Sequence, residues 1–436
     1  FVDFNKDLTK GETKKGLPVL YVKNTENGRF MLNYYYKFGE TSNKWLPYAT
    51  EYFNYLGTDK MTAEQLKQKF YELACSYSIN VGSRTLQVSI SGLAENMTEA
   101  MTLMEDFIAN AKVDKEAYDK YVGIVEKSRA DNKLDQRVNF NRLQQYGMYG
   151  PYNGARNMPS STELKEIDPQ KLVDMIKDLK NYKHSVLYYG PMDLKTLTAT
   201  INKKHKTAKK LADVPQNKPY KLQQTAQNEV LIAPYDAKNI YMIQYHNEGN
   251  TWNAEQEPIA ALFNEYYGGG MNTVVFQELR EARGLAYSAF AMYGTPSYKD
   301  DTEFAYTYII SQNDKMMDCI NTFNSILDTM PQSEKAFELS KQALMKRLAT
   351  SRTTKTGILN AYINAENLGI DYDINKKIYE AVPSLTLEDV AKFEKENMAN
   401  KPYRYMILGD EKQLDMKALE KIGPVKRLTT EEIFGY

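Results

Sequence analysis

The chain has 436 residues, too many for one ordinary hydrophobic core, so two or more domains are expected. Lys+Arg and Asp+Glu are balanced at 56 each, which argues against nucleic acid or an acidic membrane surface as the main partner. No apolar run reaches the roughly 18 residues of a membrane span, and two cysteines, Cys75 and Cys319, make no disulfide framework.

In chain order, the opening FVDFNKD reads as strand-like and the start as mid-element. Strands are predicted over 16–24 and 29–39, joined by a turn at Thr25–Gly28. LPYATEYFNYLGTDKM (46–61) has Leu46, Ala49, Phe53 and Leu56 at helical spacing and Gly57 as its stop, and a second helix covers 63–77. Two strands fill 78–93, helical periods run over 95–111 and 115–143, and His184–Tyr189 reads as a buried strand. The polar, proline-containing stretch 205–228 reads as a linker, which gives domains over 1–204 and 229–436.

Beyond the linker the pattern restarts, with strands at 230–233 and 240–245 and the apolar helix PIAALFNEYYGGGMN from Pro258. PYATEYFNYLGTDKM from Pro47 aligns with it without a gap at an offset of 211, so that Gly57 falls on Gly268. LYYGP at 187 answers MILGD at 406. Repetition on this scale predicts a duplicated α+β domain, each copy a mostly antiparallel sheet with helices packed on it. Within the second copy, Gly268, Gly269 and Gly270 allow a close backbone approach. An amphipathic helix (Val274, Val275, Leu279) is expected to follow, then a glycine stop at Gly284 and a strand from AYSAF. GGGMN lacks the ending of a phosphate loop.

This second-copy segment, FNEYYGGGMNTVVFQELREARGLAYSAFAMYG, resembles the C-terminal signature of pitrilysin/insulinase-type zinc metallopeptidases, and the resemblance extends over nearly the whole chain. It implies the fold of that family, typified by mitochondrial processing peptidase, with paired domains facing a substrate chamber. Active members carry H-x-x-E-H on a helix, two imidazoles holding Zn²⁺ and a glutamate serving as general base. Here the matching positions read Tyr48-Ala49-Thr50-Glu51-Tyr52, so both ligating histidines are tyrosine. A phenol, with a pKa of about 10, is a poor replacement for imidazole. Glu126 occupies roughly the place of the third ligand, and His184, His205 and His246 show no ligand spacing. No metal is therefore expected on this chain.

Arg280 and Tyr287 retain the seven-residue spacing of the pair that, in four-domain members, is implied to contact substrate backbone and the oxyanion. The resemblance thus implies the non-catalytic half of a zinc endopeptidase, without a cofactor of its own. Its implied partners are a zinc-bearing homologous half or subunit and a peptide substrate, and a periplasmic or cell-envelope location is weakly favoured. The ending GPVKRLTTEEIFGY reads as a natural C-terminus, which together with the mid-element start favours the C-terminal half of a longer chain. Two alternatives stay open: a structural or peptide-binding relative without a part in catalysis, and an independent peptidase in which Glu51, Glu126 and Tyr48 or Tyr52 converge on a metal.

Overall fold

Two six-stranded sheets organise the chain in the computed structural model, which describes residues 1–351 and 354–436. The first sheet is built from β1 (Thr9–Glu12), β2 (Pro18–Lys23), β3 (Arg29–Tyr36), β4 (Cys75–Val81), β5 (Leu86–Leu93) and β6 (Ser185–Gly190), in the order β1-β2-β6-β3-β5-β4. The second contains β7 (Glu229–Pro234), β8 (Asn239–His246), β9 (Ser288–Gly294), β10 (Phe304–Gln312), β11 (Arg404–Gly409) and β12 (Val425–Arg427), in the order β12-β7-β11-β8-β10-β9. Strands β2 to β6 therefore correspond one for one with β7 to β11. The exceptions are the edges: β1 joins β2 antiparallel from upstream, whereas β12 joins β7 parallel from downstream. Both sheets are mixed but mostly antiparallel, with β2 parallel to β6 and β7 parallel to β11. The fold is α+β in two domains, as the duplication implies.

The strand interiors explain the layering. β5 alternates buried and half-buried residues along LQVSISGL, as a sheet with one deeply covered face requires. That face packs on α1 (Leu46–Phe53), α2 (Ala63–Glu72), α3 (Met97–Asn110) and α4 (Lys115–Leu134), enclosing Tyr52, Phe53, Phe107 and Tyr118. The opposite faces are covered reciprocally. Helix α5 (Gln136–Tyr149) crosses to the second sheet, where Phe140 and Leu143 meet Ile243, Tyr245 and Met406. The helix Ile358–Asn367 crosses to the first, where Leu359 and Ile363 meet Tyr35, Leu187 and Tyr189.

Several sequence expectations change. The helix predicted over 63–77 ends at Glu72, and Cys75–Tyr77 open β4. Residues 1–7 form no strand, because Val2 donates its N–H to Asp373 Oδ2 at 3.0 Å and Phe4 packs edge-on against Tyr362. The helical period 115–143 is two helices, broken where Asp135 turns extended and caps α5 through Val138 N. The amphipathic helix after the glycines is a single α turn, Val274–Phe276, running into a π-helical turn over Gln277–Glu281, with Ala282 N–H donating to Gln277 O at 2.8 Å. Residues 205–228 have irregular backbone but are tied to both domains, through Lys183 N to Ala212 O at 2.9 Å in the first and Thr225 N to Asn247 O at 2.9 Å in the second.

Candidate functional site

Helix α1 carries the Tyr48–Tyr52 motif and faces α4. It ends at Asn54, and the chain then folds back so tightly that a Cβ on Gly57 would lie 2.4 Å from the Met61 carbonyl oxygen. The five motif positions do not converge on one point. Tyr52 is fully buried, and its hydroxyl donates to Asp114 O at 2.8 Å while accepting from Asp114 N at 2.9 Å. Tyr52 thus ties α1 to the N-cap of α4. Tyr48 is half-buried, and its hydroxyl accepts from Arg129 Nη2 at 3.0 Å. Glu51 accepts from Tyr121 Oη at 2.6 Å, and the Tyr121 phenol is held far above its ordinary pKa by burial and by that carboxylate. Glu126 points to Lys165 Nζ at 3.0 Å.

Zinc does not fit this donor set. Phenols stand at both positions where imidazoles would be needed, one of them against the Arg129 guanidinium, and thiolate, imidazole and carboxylate are the side chains that hold Zn²⁺. Among the described residues no group of three His, Cys, Asp or Glu is placed to hold a metal. Tyr48 and Glu51 share a cavity of about 850 Å³ with Tyr121 and Arg129, whereas Tyr52 and Glu126 are not part of its wall.

The second-domain elements are arranged differently. A π-helical turn over Asn264–Gly268 brings the glycine run against β9, where a Cβ on Gly268 would lie 2.0 Å from Ala291 O. Gly269 and Gly270 meet no such obstacle: a Cβ there finds nothing closer than 3.9 Å. Thr273 fixes the loop, its hydroxyl donating to Gly270 O at 2.7 Å and accepting from Phe276 N at 3.4 Å. π turns cluster at functional sites in proteins, and here two of them flank the loop. Arg280 leaves the second turn exposed, its guanidinium 5.1 Å from the Phe276 ring centre and without an ion-pair partner among the described residues. Gly284 takes a φ of +58° to end the turn, and Tyr287 N–H then donates to Ile310 O at 2.9 Å, opening β9. The Tyr287 side chain is 54% exposed, with its hydroxyl accepting from Gln312 Nε2 at 2.9 Å. Gly269 and Gly270 line a separate cavity of about 470 Å³ with Glu265 and Arg347, which pair at 2.6 Å; Arg280 and Tyr287 lie outside it.

One constellation escapes sequence spacing altogether. His184 and His205 meet through their Nε2 atoms at 2.8 Å, and His205 Nδ1 reaches Glu105 at 2.5 Å. The three come from different elements, so only folding unites them.

The fold is thus a duplicated α+β domain, and the Tyr48–Tyr52 helix carries no imidazole. Residues 166–344 match the family model described as the peptidase M16 inactive domain, in agreement with the pitrilysin-type resemblance. The chain is also similar to the structure of a peptidase M16 inactive domain from Pseudomonas fluorescens. The two are 14% identical with a TM-score of 0.70, over 92% of this chain and 98% of that one. It is similar to the ferredoxin protease FusC, solved in complex with Arabidopsis ferredoxin, at 13% identity and a TM-score of 0.73, over 94% of this chain and 46% of FusC. The periplasmic protease PqqL from Escherichia coli gives 14% identity and a TM-score of 0.70, over 93% of this chain and 46% of PqqL. The chain thus spans slightly under half of the two proteases. At these identities the likeness is one of fold. No curated protein matches the sequence.

Proposed function

We propose that the chain is the non-catalytic half of a zinc-dependent endopeptidase. In this reading it closes the substrate chamber and supplies Arg280 and Tyr287 to a reaction at a zinc site on another domain or subunit. The observation that carries the reading is the contrast between the two sites. The Tyr48–Tyr52 helix spends its polar groups on protein partners, whereas Arg280 on the π turn and Tyr287 at the start of β9 are exposed, with the guanidinium free of any carboxylate among the described residues. A guanidinium and a phenol are hydrogen-bond donors that can be aimed in advance at an oxyanion. The glycine loop beside them would take part in gripping extended peptide. The periplasmic location of PqqL supports a cell-envelope placement, and recovery of the native protein in the cytosolic fraction would contradict it.

The test is Arg280→Ala in the complete enzyme with its zinc-bearing half. Loss of a pre-aimed oxyanion donor should lower kcat about 100-fold with little change in the thermal midpoint of this chain, because Arg280 is exposed. An unchanged rate would leave the structural or peptide-binding reading in its place.

A further inference from the structure

The 850 Å³ cavity beside the altered metal helix is lined by charges of both signs. Glu51 is held by Tyr121, Glu40 accepts from Tyr220 Oη at 2.9 Å, and Lys67 lines the same cavity. The wall also contains Arg129 from α4 and Arg142 from α5. Arg129 is buried and donates to Tyr48 Oη at 3.0 Å, Pro159 O at 2.7 Å and Ser161 Oγ at 3.5 Å, all of them neutral acceptors. Arg142 donates to Asn141 Oδ1 at 2.7 Å, also neutral, and lies over the Phe434 ring at 5.5 Å. Neither guanidinium has a carboxylate partner among the described residues. Arg84 and Arg404, which are similarly enclosed, each hold one: Asp301 at 2.5 Å and Glu229.

The two cations act on one spot. The Arg129 guanidinium lies 5.8 Å from the Tyr48 ring centre and 5.7 Å from that of Tyr436, and both arginines exert their charge on the Tyr436 phenol. Enclosure lowers the Arg142 pKa, the mark of a cation deprived of water without being given a counter-charge. Asn141, Gln145 and Asn157 add amide groups to the same wall. An enclosed, unpaired guanidinium is costly, and a planar carboxylate is the anion its donor fork matches best.

We propose that this cavity binds a carboxylate of an extended peptide between Arg142 and Arg129, so that the helix which lost its metal ligands has become part of a charge-selective peptide site. The peptide class rests on the function proposed above; the carboxylate rests on the two arginines alone. The carboxylate could be the peptide's C-terminus or an acidic side chain.

Labelled decapeptides of one alternating Tyr–Ser sequence separate these cases in an anisotropy titration of the full chain. Four are needed: the free acid, the amide, the amide with a central Glu and the amide with a central Lys. At least one carboxylate-bearing peptide should bind about tenfold tighter than the plain amide, and Arg142→Gln should bring the two within about twofold. Preference for the free acid identifies a C-terminus as the source, and preference for the central Glu an acidic side chain. Equal binding of all four, or a preference that survives Arg142→Gln, overturns the assignment. Should Arg142→Gln fail to fold, Arg142→Lys keeps the charge but loses the fork, and the preference should then fall without vanishing. These titrations need neither the zinc-bearing half nor turnover, so failure here and failure of the catalytic reading are separable.

Discussion

Gly268 is the one glycine of its triplet whose side chain is excluded by contact. A Cβ placed 2.0 Å from Ala291 O would push the π turn off β9, while Gly269 has open space around it. Gly268→Ala should therefore cost about 2 kcal/mol, and Gly269→Ala should stay within about 0.5 kcal/mol of the parent, read from urea denaturation. Equal effects would mean that the loop as a whole, not that contact, is limiting. The triplet was legible as a place of close approach, but not which glycine is needed, since this depends on how near β9 passes. Tyr48 and Tyr52 show the same division. Their identity alone told against zinc. That Tyr52 ties α1 to α4 while Tyr48 pairs with a buried arginine followed only from the packing of α4.

At the scale of elements, the junction of α3, β3, β6 and the 205–228 segment is held by three titratable groups. His184 Nδ1 faces Tyr182 O at 2.7 Å, a carbonyl that can only accept, so the proton sits there and Nε2 is left to accept from His205. His205 Nδ1 faces Glu105 at 2.5 Å, and its ring stacks on Tyr34 at 3.8 Å. Tyr36 stacks on His184 at 4.5 Å, and the backbone N–H of Lys206 also reaches Glu105. Burial, reinforced by the charge of His205, pushes the His184 pKa down to about 4. The unfolded chain, with an ordinary pKa of about 6.5, takes up this proton first. The contribution is thus complete above pH ~6.5 and is lost as pH falls towards 4, by an amount on the order of 3 kcal/mol. His184→Gln should flatten that part of the stability curve relative to the parent, measured by denaturation between pH 4 and 7. Parallel curves would show that His184 does not titrate in the fold. Linear sequence gave no sign of this trio, because its members are separated by up to 100 residues and carry no motif.

At the scale of the molecule, the duplication was readable from a gap-free offset, and the strand-for-strand match of the two sheets follows from it. The exchange of helices was not readable, because an amphipathic stripe shows that a helix must be covered but not by which sheet. Helix α5 lies so close to β11 that a Cβ on Gly147 would meet Met406 Sδ at 2.5 Å, and Phe140 packs edge-on against Tyr241 and Tyr308 at 5.4 and 5.8 Å. The helix Ile358–Asn367 repeats this on the first sheet. Each domain therefore completes the other's core, and the Arg84–Asp301 ion pair joins them again at 2.5 Å. Two separately stable domains would unfold in two steps, and a core mutation would shift one of them. Reciprocal cover predicts a single transition instead. Phe140→Ala, with an expected cost of about 3–4 kcal/mol, should lower that midpoint for both halves together, as reported by tryptophan fluorescence at Trp45 in the first domain and Trp252 in the second, each followed with the other replaced by Phe. If the Trp252 signal moves while that of Trp45 stays, the domains are energetically independent. Chamber geometry would then have to be set by the partner half rather than by this interface.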